Sequence, residues 1–161
     1  MSRTPYLLTA ADIANLPGTH KVHFLNPNAE RINKSLGDAV GFQNIGVHII
    51  TVAPGKDSTE YHQHWYEEEC VYVLSGHGSV TIGNKQFPIG PGDFMGFPRN
   101  TVAHALHNDG SETLTCLVMG QRLEQDVGDY PRQRKRLYRN SGQWDLVDMK
   151  DIADPRLAPP D

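Results

Sequence analysis

His62, His64, Glu69 and His104 are the residues of this chain whose types and spacing could do chemistry. Imidazole nitrogen and carboxylate oxygen are ligands for divalent metals, and three of the first with one of the second suit Fe(II), Mn(II), Ni(II), Co(II) or Zn(II). One such ion at the mouth of a pocket polarises a carbonyl or acidifies a bound water or hydroxyl, which opens enolisation, isomerisation, lyase chemistry and hydrolysis. The spacing allows the four to converge. Successive side chains of a β-strand point to opposite faces, so His62 and His64 share one face and Gln63 takes the other. Trp65 to Glu68 can turn the chain, after which Glu69 opens the next strand on the face it shares with Val71 and Val73. His104 belongs to a distant strand, on the face of Val102, Leu106 and Asn108. Only a closed or strongly curved sheet brings it to the other three.

The elements that must do this positioning read as short strands. Between Asn44 and Gly120, runs of β-branched and aromatic residues are broken at close intervals by glycine, proline and asparagine. Residues 47–52, 59–64, 69–74, 78–82, 86–89, 93–97, 101–107 and 113–119 are each predicted as a strand. Gly83-Asn84 and Pro91-Gly92 supply the turn chemistry between them. Many short strands with tight turns make a sandwich or barrel. Ahead of them, Thr9 to Asp12 has the form of a capping box and predicts a short helix that Pro17-Gly18 ends. Val22 to Leu25 and Arg31 to Leu36 are expected as edge strands, with turns at Asn26-Pro27-Asn28 and at Gly37-Asp38. The organisation predicted is an N-terminal extension over 1–40, a barrel over 41–121, and a C-terminal extension over 122–161 that packs on the barrel or on a partner.

At 161 residues, one well-cored domain is expected. A net charge of -4 speaks against nucleic acid as a partner, which calls for a basic surface. The basic run from Arg132 to Arg139 is accordingly expected as a solvated face. No apolar stretch is long enough for a membrane span, and Met1 to Pro5 lacks the pattern of a secretory leader, so a cytoplasmic location is expected. Cys70 and Cys116 are expected as free thiols.

Two segments carry a family resemblance. Gly55 through Gly76, with His62, His64 and Glu69 inside it, resembles the first cupin motif. Gly92 through Asn108, with Pro98 and His104, resembles the second, with Asn100 standing where that motif ordinarily has glycine. The resemblance implies an all-β fold, a double-stranded β-helix or jelly-roll-like barrel, and one divalent metal held by His62, His64, Glu69 and His104. The chain is similar to small single-domain bacterial cupins classed as candidate sugar-phosphate isomerases, although one fold hosts many reactions.

The function expected is therefore metal-dependent chemistry on a small carbonyl or sugar-type substrate, with sugar-phosphate isomerisation first. A mononuclear iron dioxygenase and a non-catalytic small-molecule sensor are the alternatives. A purely structural barrel is disfavoured, because inward ionisable groups without a partner are costly. Isomerisation asks for a base near the metal and a cation for phosphate. Arg99 and Lys56 are the cationic candidates, and Glu67 and Glu68 serve equally as turn residues or bases. Tyr61, Trp65, Tyr72, Phe94 and Phe97 are aromatic candidates for the pocket, although strand aromatics more often fill a core. His77 and His107 are expected outside. His48 is expected at the surface, or behind a ligand imidazole if its strand turns that face inward. A homodimer is expected, since strand edges need covering.

Overall fold

A computed structural model describes residues 4–157. Met1 to Arg3, where the leader reading began, and residues 158–161 of the Pro-rich end lie outside the described residues. The helix α1 (Ala10–Asn15) starts as its sequence demands: the Thr9 side chain accepts from the Asp12 amide, and the Asp12 carboxylate accepts from the Thr9 amide at 2.8 Å. No described helix is long and apolar enough to cross a membrane.

Two sheets enclose the core, giving an all-β jelly-roll barrel. The larger sheet has six strands in the order β1-β2-β3-β10-β5-β8. These are β1 (Thr19–His23), β2 (Asn26–Ser35), β3 (Ile45–Val52), β5 (Glu69–Ser75), β8 (Phe94–Phe97) and β10 (Leu114–Gln121). The smaller sheet is β7-β6-β9, from β6 (Gly78–Ile82), β7 (Lys85–Ile89) and β9 (His104–His107). Ile50, Val52, Val71, Val73, Leu114 and Cys116 of the larger sheet pack against Val80, Ile89 and Leu106 of the smaller. The alternation is clean on β5, where Val71 and Val73 are buried while Tyr72 and Leu74 are exposed. Cys70 and Cys116 are both free thiols.

Several expectations need correction. Strand β2 is not an edge, since it lies between β1 and β3, and Asn26 to Asn28 belong to it rather than to a turn. Gly37-Asp38 sit in a four-residue helix, α2 (Leu36–Ala39). The strand expected over 59–64 shrinks to β4 (Gln63–His64), and that over 101–107 begins only at His104. Val102 is consequently 47% exposed instead of sharing the buried face of His104, Leu106 and Asn108. Asn100 adopts φ 52°, a left-handed conformation that asparagine tolerates far better than most side chains, so it serves at the position the motif gives to glycine.

The segment after Gln121 forms a third sheet. Strands β11 (Gln125–Tyr130), β12 (Lys135–Asn140) and β13 (Gln143–Asp148) run antiparallel, and β11 pairs with β4 through Gly128 opposite His64 and Asp129 opposite Gln63. This ties the C-terminal sheet to the strand that carries His64.

Candidate metal centre

The shortness of β4 does not loosen His62. His62 and His104 form a reciprocal backbone bridge, His62 N–H to His104 O at 3.0 Å and His104 N–H to His62 O at 2.8 Å. The bridge sets their rings 4.7 Å apart. Glu69 opens β5 opposite Phe97 of β8, and Phe97 lies flat on the His104 ring with centroids 3.4 Å apart. His62, Glu69 and His104 each offer a donor atom within 4.8 Å of the others. The His64 ring stands edge-on to His62 with centroids 5.0 Å apart and lines the same cavity, while a donor atom of its own groups with Glu67 and Asp126 instead.

Each histidine is prepared differently. His62 Nδ1 lies 2.8 Å from the Glu60 carbonyl, which can only accept, so Nδ1 carries the proton and Nε2 keeps its lone pair. Burial holds the His62 pKa down, to about 3, so the ring is neutral at pH 7. His64 Nδ1 lies 2.6 Å from Asp126 Oδ2, which fixes the same tautomer. Burial works against a proton on His64, but the Asp126 hydrogen bond and charge outweigh it and raise the pKa. For Glu69, burial alone would favour the acid, yet the His104 hydrogen bond and the neighbouring imidazoles pull its pKa below the usual range.

These donors fit a divalent cation. His104 Nε2 and Glu69 Oε1 are 3.4 Å apart, long for a charge-assisted bond. That separation matches two ligands on one ion at about 2.0–2.2 Å each, which stand roughly 3.0–3.4 Å from one another. His104 Nδ1 is buried without a hydrogen-bond partner among the described residues, so nothing in the protein fully satisfies this ring. Neutral imidazole beside ionised carboxylate is also the protonation state that metal binding requires.

Behind His64 stands a group that sequence reasoning missed. Asp126, on β11, is 2% exposed and spends all its acceptor capacity here. Its Oδ1 accepts from the Tyr66 and Glu67 amides at 3.1 and 3.3 Å, and its Oδ2 accepts from His64 and from Arg139 at 3.3 Å. Glu67 is neither an exposed turn residue nor a free base. It is buried, accepts from the Leu123 amide at 2.8 Å and pairs with Arg139. The basic run is likewise not a solvated face throughout. Arg136 grips Asp129 with two hydrogen bonds of 2.6 and 2.9 Å and lies over the Trp65 ring, while Arg132 lies over Tyr61. Alternation of Asp126, Gly128 and Tyr130 was the available sequence signal for β11.

The quartet opens into a cavity of about 420 Å³, the size of a small-molecule site. None of the seven residues expected at the substrate pocket lines it. Tyr61 donates to the Gly83 carbonyl and Trp65 to Asp129, so both serve the scaffold. Tyr72 faces the outside of its sheet, Arg99 is exposed in the loop after β8, and Phe97 is buried behind His104. Phe94 is 64% exposed, and Lys56 pairs with Glu30 at 2.8 Å. The cavity is lined instead by Arg31, His48, Tyr130 and Trp144, among others. His48 thus faces inward, with Arg122 and Asn33 at its two ring nitrogens, while His77 is exposed and His107 is held by Asp57 at 2.7 Å on the other side. Burial, then the Arg122 charge, lowers the His48 pKa, and burial pushes the Tyr130 hydroxyl up to about 12.

Comparison with known proteins places this geometry among relatives. Residues 48–120 match the family described as "Cupin domain". A crystal structure from Acidithiobacillus ferrooxidans, of a protein named as a candidate sugar phosphate isomerase, is 64% identical with a TM-score of 0.91 over 93% of this chain and 96% of that one. A structure from Silicibacter pomeroyi, named as a sugar phosphate isomerase from a cupin superfamily, is 24% identical with a TM-score of 0.79, covering 87% and 92% of the two chains, and shares the fold. An uncharacterized protein of Methanocaldococcus jannaschii is 30% identical over 94 residues, 58% of this chain and 65% of that protein, so under two thirds of its length is matched.

Proposed function

Because the chain belongs to the cupin superfamily, we propose that His62, His64, Glu69 and His104 hold one divalent metal and that the cavity beside them isomerises a small carbonyl substrate of the sugar-phosphate class. The observation that carries this reading is the meeting of His62, Glu69 and His104 donor atoms within 4.8 Å of one another, with His64 beside them on the wall of a cavity large enough for such a substrate. A divalent ion bound there supplies Lewis acidity toward a carbonyl or hydroxyl oxygen. The remaining work falls to the chain. Glu60 and Asp126 fix the tautomers of His62 and His64, so both present Nε2 without rearrangement. The apolar side chains of Val71, Leu106 and Val118 keep that end of the cavity dry, which strengthens each polar contact. Tyr130 remains protonated at neutral pH and so can donate to a substrate oxygen, but not remove a proton. His48 is neutral and faces the cavity, with Arg122 and Asn33 holding its ring in place.

The test is elemental analysis of protein purified without added metal, alongside His62→Ala and Glu69→Ala. Wild type should carry close to one ion per chain and the variants far less; equal, negligible metal in all three refutes the centre. Aldose and ketose phosphates are then assayed for interconversion with oxygen consumption followed in parallel. Oxygen uptake coupled to substrate loss would replace isomerisation with oxygenase chemistry.

A further inference from the structure

We propose that Lys21 and Arg31, on the wall of the same cavity, form an anion subsite for the phosphate group of a phosphorylated substrate. This rests on the reading of the cavity as a substrate site, and it assigns the wall that β1 and β2 contribute. The register of the sheet is the first observation. Lys21 of β1 stands directly opposite Arg31 of β2. Like charges in direct cross-strand opposition repel and are destabilising, so a pair of cations there calls for an anion between or beside them. Both side chains line the cavity.

Arg31 gives the second observation. Its Nη1 donates to the Ser58 carbonyl, and its Nε is buried without a hydrogen-bond partner among the described residues. A guanidinium with one edge anchored keeps Nε and Nη2 as a fork, the arrangement that grips two oxygens of a phosphate or carboxylate. No described carboxylate lies within ion-pairing distance of it: Glu30 pairs with Lys56 and His20, Glu67 with Arg139 and Glu69 with His104, while Glu68 lines the cavity without an ion pair and Glu69 acts on Arg31 only through its charge. Leaving a buried, charged donor unmatched is costly, and a bound oxyanion removes that cost.

The surroundings are consistent with negative charge. Two residues along β2, Asn33 lines the same wall, and Arg122, paired with Asp38, adds a third cation at the rim. His23 is held neutral, with its pKa at about 4, by burial and then by the Arg31 charge, so the positive potential of Arg31 is felt inside the cavity. Two cations without a carboxylate partner among the described residues match a phosphate dianion better than a monoanionic carboxylate. From β2 to β5, which carries Glu69, the sheet crosses three strand intervals, about 14 Å between backbones. Side chains reach inward across that gap, and the charge of Glu69 is felt at Arg31.

The probe is inorganic phosphate, titrated calorimetrically into the whole chain before and after metal removal by chelation, with acetate at matched ionic strength as the competing anion. Lys21→Gln and Arg31→Gln are compared with wild type; Lys21 is exposed, so its variant tests the subsite even if Arg31→Gln folds poorly. Expected is saturable phosphate binding that survives chelation, weakens about tenfold or more in each variant, and is little affected by acetate. Binding lost on chelation means that phosphate sits on the metal, and equal competition by acetate means a carboxylate site; either result overturns the assignment. So does unaltered binding in both variants, or no binding by wild type. Failure of the metal centre is read separately from the elemental analysis: phosphate binding that depends on Lys21 in a chain that takes up no metal leaves this subsite standing and removes the isomerase reading.

Discussion

Asp126→Asn is the sharpest probe of how His64 is held. Asparagine keeps the oxygen that accepts the Tyr66 and Glu67 amides at 3.1 and 3.3 Å, so the turn before β5 survives. What changes is the Oδ2 position, where an amide NH2 replaces an acceptor. It cannot receive the Nδ1 proton of His64, now bound at 2.6 Å, and it faces the Arg139 guanidinium donor to donor. His64 must then accept at Nδ1 and protonate Nε2, the atom proposed to meet the metal. Loss of such an orienting partner typically lowers metal affinity 10- to 100-fold, which corresponds to about 1.4–2.7 kcal/mol. The fold loses a charged hydrogen bond, about 1.5–3 kcal/mol, so stability and affinity must be measured separately. A competitive titration against a chromophoric chelator at pH 7.5, with urea unfolding of the metal-free protein, does both. Asp129→Asn is the control, because it breaks the grip of Arg136 in the same sheet without touching His64. The pH dependence carries a sign as well. In wild type the His64 pKa is raised above 6.5, so a metal competes with a proton and affinity falls as pH drops through that raised value. Without the Asp126 charge, burial dominates, the His64 pKa falls, and the decline moves to lower pH. Affinity unchanged within twofold in Asp126→Asn, or an equal loss in Asp129→Asn, would refute the reasoning.

Three further outcomes follow from the same structure. Gly76→Ala should destabilise by roughly 2–4 kcal/mol in urea unfolding, because Gly76 has φ 80° and a Cβ there would run into the Thr113 carbonyl oxygen; a change below about 0.5 kcal/mol contradicts this. Burial pushes the Cys116 thiol up to about 12 and raises that of Cys70 less far, so at pH 8 a thiol reagent should label Cys70 slowly and Cys116 only on unfolding, as counted by mass spectrometry. The outer face of the large sheet aligns Ile49, Leu117, Tyr72 and Phe94 in one register row, with Phe94 64% exposed. We expect this face to pair two copies of the chain: light scattering should give twice the chain mass for wild type and a smaller value for Phe94→Glu, and a monomeric wild type would end that expectation.

The parts of this molecule that sequence could disclose are those governed by neighbours along the chain. The capping box at Thr9, the alternation of Val71 and Val73, and the shared side of His62 and His64 all follow from local geometry. Even the substitution of Asn100 for glycine could be understood locally, since asparagine accepts a positive φ. What the sequence concealed depends on pairing across long separations. Asp126 reaches His64 from 62 positions away, and nothing in its own surroundings marks it. The run from Arg132 to Arg139 looks solvated because composition shows cations and hides the acids of β11 and Glu67 that receive them. Arg31 falls where the sequence suggests the start of an edge strand, and only the pairing of β1 with β2 shows Lys21 opposite it. Arg99 and the outer aromatics were singled out by proximity in sequence to the ligands, but strand alternation and loop direction send them away from the cavity.

The pairing of β4 with β11 also imposes an order on biosynthesis. A chain emerging from the ribosome presents His62, His64, Glu69 and His104 before Asp126 has been made, and the Arg139 that steadies Asp126 comes later still. The barrel strands can pair in that interval, because every strand of the two barrel sheets precedes Gln125. Asp126, the carboxylate that accepts the His64 Nδ1 proton, reaches it only when the third sheet docks. In a newly made chain the four proposed ligands are thus on hand before the carboxylate that orients His64, and it is the pairing of β11 with β4 that delivers it.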